Sequence, residues 1–478
     1  MDSASLKFVC FGLAVALVSN FSRSKTWRSI VLFLASVVFL HLIAPKSVQL
    51  VPMIGFLLLG YAILLVVERG WSMASALGIA AVIAAFVWLK KYTFFPDGVF
   101  LHFPYFTLGL SYIFFRVVHL LVEARDSQTK RHMGLGAYLL YTLNFTTLVS
   151  GPIQTYDEFA RDQFTAEPPL LDLATIGSQF ERIVIGLFKV NVLALLLDGL
   201  RNDAYVQLTQ PLPPILKIFA AFQLVVIYPL FLYANFSGYI DIVIALARLM
   251  RLRLPENFDR PFSASCVMDF WNQWHMTLSS WFKSYVYNPL LIALVRRVSS
   301  VAMQPFLGVI CFFVTFFLVG VWHGRTSEFL VFGLLTGAGI SVNKLWQIGL
   351  SRTLGRKGYK ALAGNALYVA FGRGLNYVWF AFTLFWFWGD WEHIGKAFSA
   401  MSVAEWLVVW ANVLFAVTLV LAAWEEARGL ILSTIGAEGK FFSSRYARVV
   451  YATALCVAAL AVMVMLEQPA PGIVYKVF

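Results

Sequence analysis

The sequence predicts an all-α protein that crosses a membrane many times, and three observations lead to that prediction. Of the 478 residues, 60% are hydrophobic and only 13% are charged, whereas soluble domains carry ~25% charged residues. Uncharged runs long enough to cross a bilayer, about 17 to 25 residues, recur along the chain. Lipid offers the backbone no hydrogen-bond partners, and the period-2 alternation of a membrane β-barrel is missing, so these runs are expected to be helices.

The hydrophobic segments suggest one membrane domain over residues 1–478, because no linker rich in Gly, Ser or Pro divides the chain. We expect roughly 11 to 13 hydrophobic helices, the shorter ones spanning or re-entrant. The first segment lacks the basic leading region of a secretory signal, so we expect it to be a span. The clearest runs are 47–67, 71–89, 133–156, 218–240, 298–322, 406–423 and 449–466, and weaker ones lie near 8–22, 29–45, 98–115, 175–200, 327–346 and 366–389.

The formal net charge of +12 points to a lipid bilayer and not to nucleic acid as the partner. In a chain this apolar, lysine and arginine collect on cytoplasmic loops. The basic clusters predict that the N-terminus lies outside and that four loops face the cytoplasm, at 23–28, 125–131, 248–260 and 352–360.

Cysteine spacing and the known ligand motifs give no reason to expect a metal site. The four cysteines are far apart in the sequence, so neither a disulfide frame nor a metal cluster is predicted from Cys10, Cys266, Cys311 and Cys456. There is no HExxH motif and no carboxylate cluster at ligand spacing. We therefore predict no metal and no bound cofactor.

The stretch 255–289, PENFDRPFSASCVMDFWNQWHMTLSSWFKSYVYNP, mixes aromatic residues with charged ones and is too polar for a lipid-facing span. From about 266 to 285 the pattern predicts a helix. One face of it would carry an imidazole among apolar neighbours, at the spacing i, i+4, i+7 and i+11: Trp271, His275, Leu278 and Phe282. We expect this helix to be buried in the bundle or to dip in from the basic side.

His323 is the most promising catalytic candidate, since it ends the uncharged run 298–322 between Gly320 and Gly324. Ionisable groups at membrane depth cost on the order of 2.5 to 3.5 kcal/mol and are functional candidates for that reason. A neutral imidazole can take the proton of a hydroxyl that attacks an acyl carbonyl, and can return it to a thiolate leaving group. The structural alternative is an interfacial histidine that bonds a carbonyl.

The remaining candidates are weaker. Five histidines have no second unusual polar residue arranged around them: His41, His102, His119, His132 and His393. Ser265 or Cys266, close in sequence to His275, stays open as a nucleophile, although no GxSxG elbow accompanies them.

Four strings in order, FSGYIDIVIALARLM, PENFDRPF, DFWNQWHMTLSSWF and VGVWHG, resemble the membrane-bound O-acyltransferase family and include two histidines about fifty residues apart. SGPIQTYDEF at 150–159 is similar to that family's short GPI segment. The resemblance covers about 145–345, and the combination of strings is specific.

This resemblance implies a helical ring around a central thinned region, where a funnel or tunnel lets an acyl donor on one face meet an acceptor on the other. By the same resemblance, His323 of the WHG string is the catalytic residue, and His275 is a second active-site residue on the cytoplasmic side of the tunnel. Substrate contacts are expected from neighbouring residues of these strings: Trp322, Trp271, Trp274, Asn257 and Asp269.

Within that family the chain looks most like the bacterial branch that serves envelope glycans, which includes the alginate O-acetylation and teichoic-acid D-alanylation proteins. SGPI and WHMTLSSWF look like the D-alanylation type, while the length and the C-terminal VYKVF are closer to the alginate type. The Gly-Gly-Asn-Arg sequence expected of the alginate type is replaced by LLIALVRR, so alginate itself is not favoured as the acceptor.

We expect an acyltransferase of the inner membrane that moves a small acyl group, with acetyl favoured, to a hydroxyl of an extracytoplasmic polysaccharide or to a periplasmic relay protein. The donor would be a cytoplasmic thioester, either acetyl-CoA or an acyl-carrier protein. D-alanyl transfer from a carrier protein to a teichoic-acid-like polymer is the alternative. A transporter or flippase is a remote third reading, since paired carboxylates and two halves with matching broken helices are missing.

Overall fold

The computed structural model describes residues 5–44, 46–70, 72–103, 105, 107–125, 132–298, 300–435 and 444–466. Helices dominate this part of the chain. No β-strand forms within it, and one isolated antiparallel bridge joins Phe258 to Trp274. The predicted all-α class is confirmed. Residues 126–131 of one predicted cytoplasmic loop and the C-terminal VYKVF lie outside the described residues.

The helices of the first half of the chain are α1 (Leu6–Ser19), α2 (Lys25–Ile43), α3 (Val51–Glu68), α4 (Ser72–Lys90), α5 (Leu110–Glu123), α6 (Leu135–Thr142), α7 (Tyr156–Gln163), α8 (Leu173–Phe188), α9 (Leu195–Thr209) and α10 (Pro214–Leu249). A π-helical turn, Lys189–Ala194, joins α8 to α9.

The helices of the second half are α11 (Val267–Trp271), α12 (Met276–Phe282), α13 (Asn288–Arg297), α14 (Gln304–His323), α15 (Ser327–Thr353), α16 (Gly355–Ala363), α17 (Ala366–Thr383), α18 (Phe385–Trp388), α19 (Trp391–Ser399), α20 (Val403–Ile435) and α21 (Arg445–Leu466). A second π-helical turn, Lys283–Tyr287, joins α12 to α13.

Seven helical stretches of the described chain are long and apolar enough to cross a membrane: Lys25–Ile43, Ser47–Glu68, Leu173–Thr209, Pro214–Leu249, Gln304–His323, Ser327–Thr353 and Val403–Ile431. Leu6–Ser19 and Ser75–Lys90 are shorter apolar helices. The protein is therefore a multi-pass membrane protein.

The described residues group into two compact units. The first contains the chain up to Leu187 together with Gly238–Glu256. The second contains Phe188–Ser237 and the chain from Asn257 onward. Both histidines predicted to be functional, with the helices that carry them, belong to the second unit.

In the first unit, the predicted span 133–156 is wrong as a continuous helix. Helix α6 ends at Thr142, and 143–155 is irregular and largely buried. Gly151 allows a close approach of the backbone to itself, since a Cβ there would lie 2.5 Å from the Cα of Thr147. The uncharged composition suggested a span, but the Gly-Pro pair at 151–152 and the side chains that bond the local backbone favour a compact loop.

Arg116 of α5, which is 2% exposed, donates hydrogen bonds to the end of α6 and to the buried irregular segment after it. The guanidinium donates to the carbonyl of Thr142 at 2.7 Å and to the carbonyl of Thr147 at 2.8 Å. Non-helical backbone is tolerated away from water only where its polar groups are satisfied by protein. Arg116 thus bonds one carbonyl at the end of α6 and another in the irregular segment after it.

Three arginines of the predicted cytoplasmic loop 248–260 bind other parts of the first unit. Arg248 donates to the carbonyl of Leu170 at 2.6 Å, and Arg251 donates to the carbonyl of Pro169 at 2.9 Å. Arg253 forms an ion pair with Asp162. Basic residues that the sequence analysis assigned to topology therefore also stabilise the loop that follows α7.

Candidate active site

The chain around His275 forms a sharp turn between two short helices. Helix α11 ends at Trp271, His275 has the left-handed backbone angles φ 46° and ψ 52°, and α12 starts at Met276. The predicted continuous helix over 266–285 is therefore wrong. Trp271, His275, Leu278 and Phe282 do not share one helix face.

Backbone pairing with the PENF string explains the break. The amide of Met276 donates to the carbonyl of Asn257 at 3.0 Å, and the amide of Asp259 donates to the carbonyl of Gln273 at 3.0 Å. A left-handed residue other than glycine costs about 1 to 2 kcal/mol. These long-range hydrogen bonds offset that cost. The helix prediction missed them because it used only residues 266–285, and Asn257 and Asp259 lie before that stretch.

Asn257 holds His275 by a side-chain network that lies entirely in the interior. The Asn257 side-chain oxygen accepts from the Thr277 amide at 3.1 Å and from the Thr277 hydroxyl at 2.8 Å. The same oxygen lies 3.3 Å from Nδ1 of His275. Because the backbone amide identifies this atom as the oxygen, Nδ1 must carry the proton of that contact. Nε2 is then the acceptor atom of a neutral imidazole.

Burial keeps His275 neutral. This residue is 1% exposed and lies outside the seven candidate spans. Desolvation lowers the pKa of His275 to about 3, because an apolar environment disfavours the charged ring. At physiological pH the side chain can therefore accept a hydrogen bond through Nε2 without carrying charge.

His323 is the last residue of α14, and close packing against α15 fixes its position. A Cβ on Gly320 would lie 2.1 Å from the Cα of Gly333, so the two helix backbones touch there. A Cβ on Gly324 would lie 2.0 Å from the ring of Phe329. The glycines on both sides of His323, singled out in the sequence, are thus required by steric contact.

Trp322 connects the two histidines. Its ring centroid lies 6.5 Å from that of His275 and 4.8 Å from that of His323. His323 is 2% exposed, and its ring also contacts Phe332 at 5.8 Å and Phe387 at 5.3 Å. The structure therefore places the rings of both His275 and His323 next to the Trp322 indole. The surroundings are aromatic, and in such an apolar environment electrostatic effects on a reacting group are strong.

The other predicted substrate-binding residues divide into two groups. Asn257 and Trp322 contact the predicted catalytic histidines, as described above. Trp271 packs on Phe316 at 5.1 Å and Trp274 stacks on Phe270 at 5.6 Å, so both belong to the packing around α11. Asp269 accepts a hydrogen bond from the Cys266 thiol at 3.2 Å, and no contact between Asp269 and either histidine is seen among the described residues.

Cys266 is poorly suited to act as a nucleophile. Burial raises the pKa of its thiol to about 11, so that little thiolate, the reactive form, exists near neutral pH.

Three residues around the site were missed by the sequence analysis. Phe236 packs edge-on to His275 at 5.0 Å, Thr277 bonds Asn257 as described, and Phe387 contacts His323. Phe236 and Thr277 lie in the strings that carry the family resemblance, which is a signal that could have found them. Phe387 lies 64 residues beyond His323 in one of many aromatic strings, and no local pattern marks it.

The sequence is also similar to known proteins. Residues 100–372 match the membrane-bound O-acyltransferase (MBOAT) family. The chain is 32% identical over 230 residues to the teichoic acid D-alanyltransferase of Bacillus subtilis (strain 168), covering 48% of this chain and 56% of that protein. It is 30% identical over 209 residues to the peptidoglycan O-acetyltransferase of Helicobacter pylori, covering 44% of this chain and 37% of that protein.

A third similarity, 26% identity over 237 residues, is to the probable alginate O-acetylase of Pseudomonas aeruginosa, covering 50% of this chain and 42% of that protein. In these alignments the chain spans about half the length of the curated relatives it matches, or less. The resemblance predicted from the four strings is confirmed. Since the family match includes more than half of the residues, the chain belongs to the membrane-bound O-acyltransferase family.

Proposed function

We propose that this protein transfers a small acyl group from a cytoplasmic thioester to a hydroxyl on the far side of the inner membrane. The observation that carries the proposal is the placement of His323, buried at the end of α14 and joined to His275 through Trp322. Both histidines lie within the family match over residues 100–372.

In the proposed reaction His323 is the general base. The acceptor hydroxyl gives its proton to the imidazole as its oxygen attacks the thioester carbonyl, and a C–O bond forms. The C–S bond then breaks, and the imidazolium returns the proton to the departing thiolate, so that the products are an ester and a free thiol. His275, neutral and held by Asn257, offers Nε2 as an acceptor that orients the donor or the acceptor.

The charge distribution around α15 supports the proposed direction of transfer. This helix has 27 residues, or ~40 Å of length, enough to cross a hydrocarbon core of about 30 Å. A basic cluster lies at and just beyond its C-terminal end: Arg352, Arg356, Lys357 and Lys360. Basic residues favour the cytoplasmic side, so the opposite end, where α15 follows His323, would face outward.

Acetyl is our first candidate for the acyl group, and D-alanyl the second. Two kinds of relatives are named as O-acetyl-transferring proteins, for peptidoglycan and for alginate. The identity of 32% to a teichoic acid D-alanyltransferase supports the second candidate. The acceptor would be an envelope glycan or a periplasmic relay protein, and the donor acetyl-CoA or, for D-alanine, a carrier protein.

The experiment is a transfer assay with the full chain in lipid nanodiscs. Radiolabelled acetyl-CoA and a D-alanyl-carrier protein are supplied separately with a glycan extract of the bacterial envelope, and label released by mild alkali measures ester formation. We expect one donor to give ester with the parent protein and not with His323→Gln. Ester formation at equal rates in both proteins, or no ester with either donor, would contradict the proposal.

A further inference from the structure

A small cavity of the second unit lies beside a short helix that also contacts the predicted catalytic histidine. Its volume is about 250 Å³, and its lining is Arg201, Asn202, Tyr205, Trp388 and His393. The four-residue helix α18 connects the two places: Phe387 contacts the ring of His323 at 5.3 Å, and Trp388 lines the cavity. Consecutive residues thus face His323 and the cavity.

The cavity is built on fixed aromatic rings. Tyr205 contacts Trp388 at 5.6 Å, with the two rings nearly perpendicular, and contacts His393 at 5.6 Å. The Arg201 guanidinium lies over Trp388 at 5.7 Å and over Phe231 at 5.3 Å. Such contacts restrict the guanidinium, so its donors are held in place before a ligand arrives.

The cavity lies at the end of α15 that we assign to the outer face. Helix α19, which carries His393, is bonded to the start of α15 in two ways. The Trp391 amide donates to Glu328 at 3.0 Å, and the Trp391 indole donates to the Ser327 hydroxyl at 2.7 Å. The cavity is therefore on the acceptor side of His323 if the proposed direction of transfer holds.

The charges around the cavity cancel within short distances. Arg201 pairs with Asp198 at 2.8 Å, and His393 contacts Asp390 at 2.7 Å. On the same helix as His393, Lys396 pairs with Glu392 at 2.6 Å. Arg201 and Lys396 thus each have a carboxylate partner, and a polyanion would gain little electrostatic attraction here.

Aromatic faces combined with a few fixed polar groups are the usual composition of small-molecule sites. Here the polar groups offer amide, guanidinium and imidazole hydrogen bonds to neighbouring hydroxyls. The volume is below the ~300 to 1,000 Å³ of drug-sized sites, which suits one ring and not the long arm of a thioester donor. We propose that this cavity binds an uncharged, hydroxyl-bearing sugar ring of the acceptor, next to the unit that receives the acyl group.

The role given to this cavity rests on the proposed acyl transfer, but sugar binding to the cavity can be measured without any acyl donor. The full chain in nanodiscs is titrated against fluorescently labelled cellotetraose and against labelled tetragalacturonate of the same length, with anisotropy as the readout. We expect cellotetraose to bind at least tenfold more tightly than the charged oligosaccharide.

Two variants locate the binding. Trp388→Leu removes the aromatic face, and the double variant Asn202→Ala/His393→Ala removes two polar groups at exposed positions that put folding at little risk. Each should weaken cellotetraose binding about tenfold, equivalent to ~1.4 kcal/mol. The matched control is Trp424→Leu/Asn412→Ala, two exposed residues of α20, and it should bind like the parent.

Equal affinity in the parent and the double variant would overturn the proposal, as would tighter binding of tetragalacturonate or the absence of binding by the parent. A parent protein that binds cellotetraose through these residues but forms no ester would support the cavity and contradict the acyl transfer. An active protein with unaltered binding in the variants would overturn the cavity alone.

Discussion

The two predicted catalytic histidines are positioned in opposite ways. His323 ends a regular apolar helix, and backbone contact between Gly320 and Gly333 fixes the place of that helix. His275 lies in a left-handed turn between two short helices, and hydrogen bonds to Asn257 fix it. Shape therefore determines the first position and polar bonding the second. Mutations should distinguish these two ways of positioning a histidine, because a change in side-chain size disrupts steric contact while loss of a polar group disrupts hydrogen bonds.

The largest effect is expected at His323. His323→Gln keeps much of the side-chain volume and hydrogen-bonding capacity but removes the basic nitrogen, so acyl transfer should fall by about 10²- to 10⁴-fold. Expression and thermal unfolding should stay close to those of the parent. The ester-forming assay measures the loss, and a purified variant with more than roughly a tenth of the parental rate would refute the proposed base.

A steric change in the same helix should act on stability. Gly320→Ala places a methyl group 2.1 Å from the Cα of Gly333, so α14 and α15 must separate, at a cost of about 1 to 3 kcal/mol. Gly308→Ala is the matched control, since the nearest atom to its Cβ would be the Tyr287 hydroxyl at 3.4 Å. Thermal unfolding in nanodiscs compares them. If the two variants unfolded at the same temperature, close packing would not be what places His323.

Replacing the second histidine should impair turnover less than the change at His323. His275→Ala removes one hydrogen-bond acceptor, Nε2, from the proposed site, and one such bond corresponds to about a tenfold loss of activity. The rate is measured at saturating and at limiting donor concentrations. A variant with parental turnover and donor affinity would make His275 a packing residue.

The last expected effect concerns pH. In the folded protein burial lowers the pKa of His275 to about 3, whereas an unfolded chain has a value of about 6.5. The unfolded state therefore binds the extra proton first as pH falls. The stability that this neutral ring contributes is present above pH ~6.5 and declines between pH ~6.5 and ~3, by at most about 1.4 kcal/mol per pH unit.

His275→Gln has no such proton to bind, so the stability difference between parent and variant should shrink as pH falls from about 7 to about 5. Chemical unfolding at both pH values measures it. A difference that stays constant over this interval would show that His275 is not held neutral by the fold.

The same contrast explains which parts of the molecule could be predicted from sequence. The end of α14 at His323 combines a long apolar run with glycines, and both signals are local. The turn at His275 depends on pairing with Asn257, 18 residues earlier, so a periodic pattern over 266–285 predicted a helix where none continues. Cys266 stayed an open alternative because only its burial shows how little thiolate is available.

Contacts between residues far apart in the sequence also explain why other features were not predicted. The run 133–156 read as a span because nothing within it reveals that Arg116 bonds the carbonyls of its interior. Phe387 and the cavity beside it come from a segment whose aromatic residues resemble many others in a chain that is 16% aromatic. Apolar composition predicted the fold class, while contacts between distant segments determine the shape of the site.

Arg116 also has a consequence for the assembly of the first unit. Its guanidinium and the carbonyls of Thr142 and Thr147 are 26 and 31 residues apart. In lipid, neither an isolated arginine nor an unbonded loop is stable, since each would lack its partner. Helix α5 and the segment after α6 therefore depend on each other for their buried hydrogen bonds, and neither is stable in its final position alone. A single buried guanidinium thereby couples two segments of the first unit that lie far apart in the sequence.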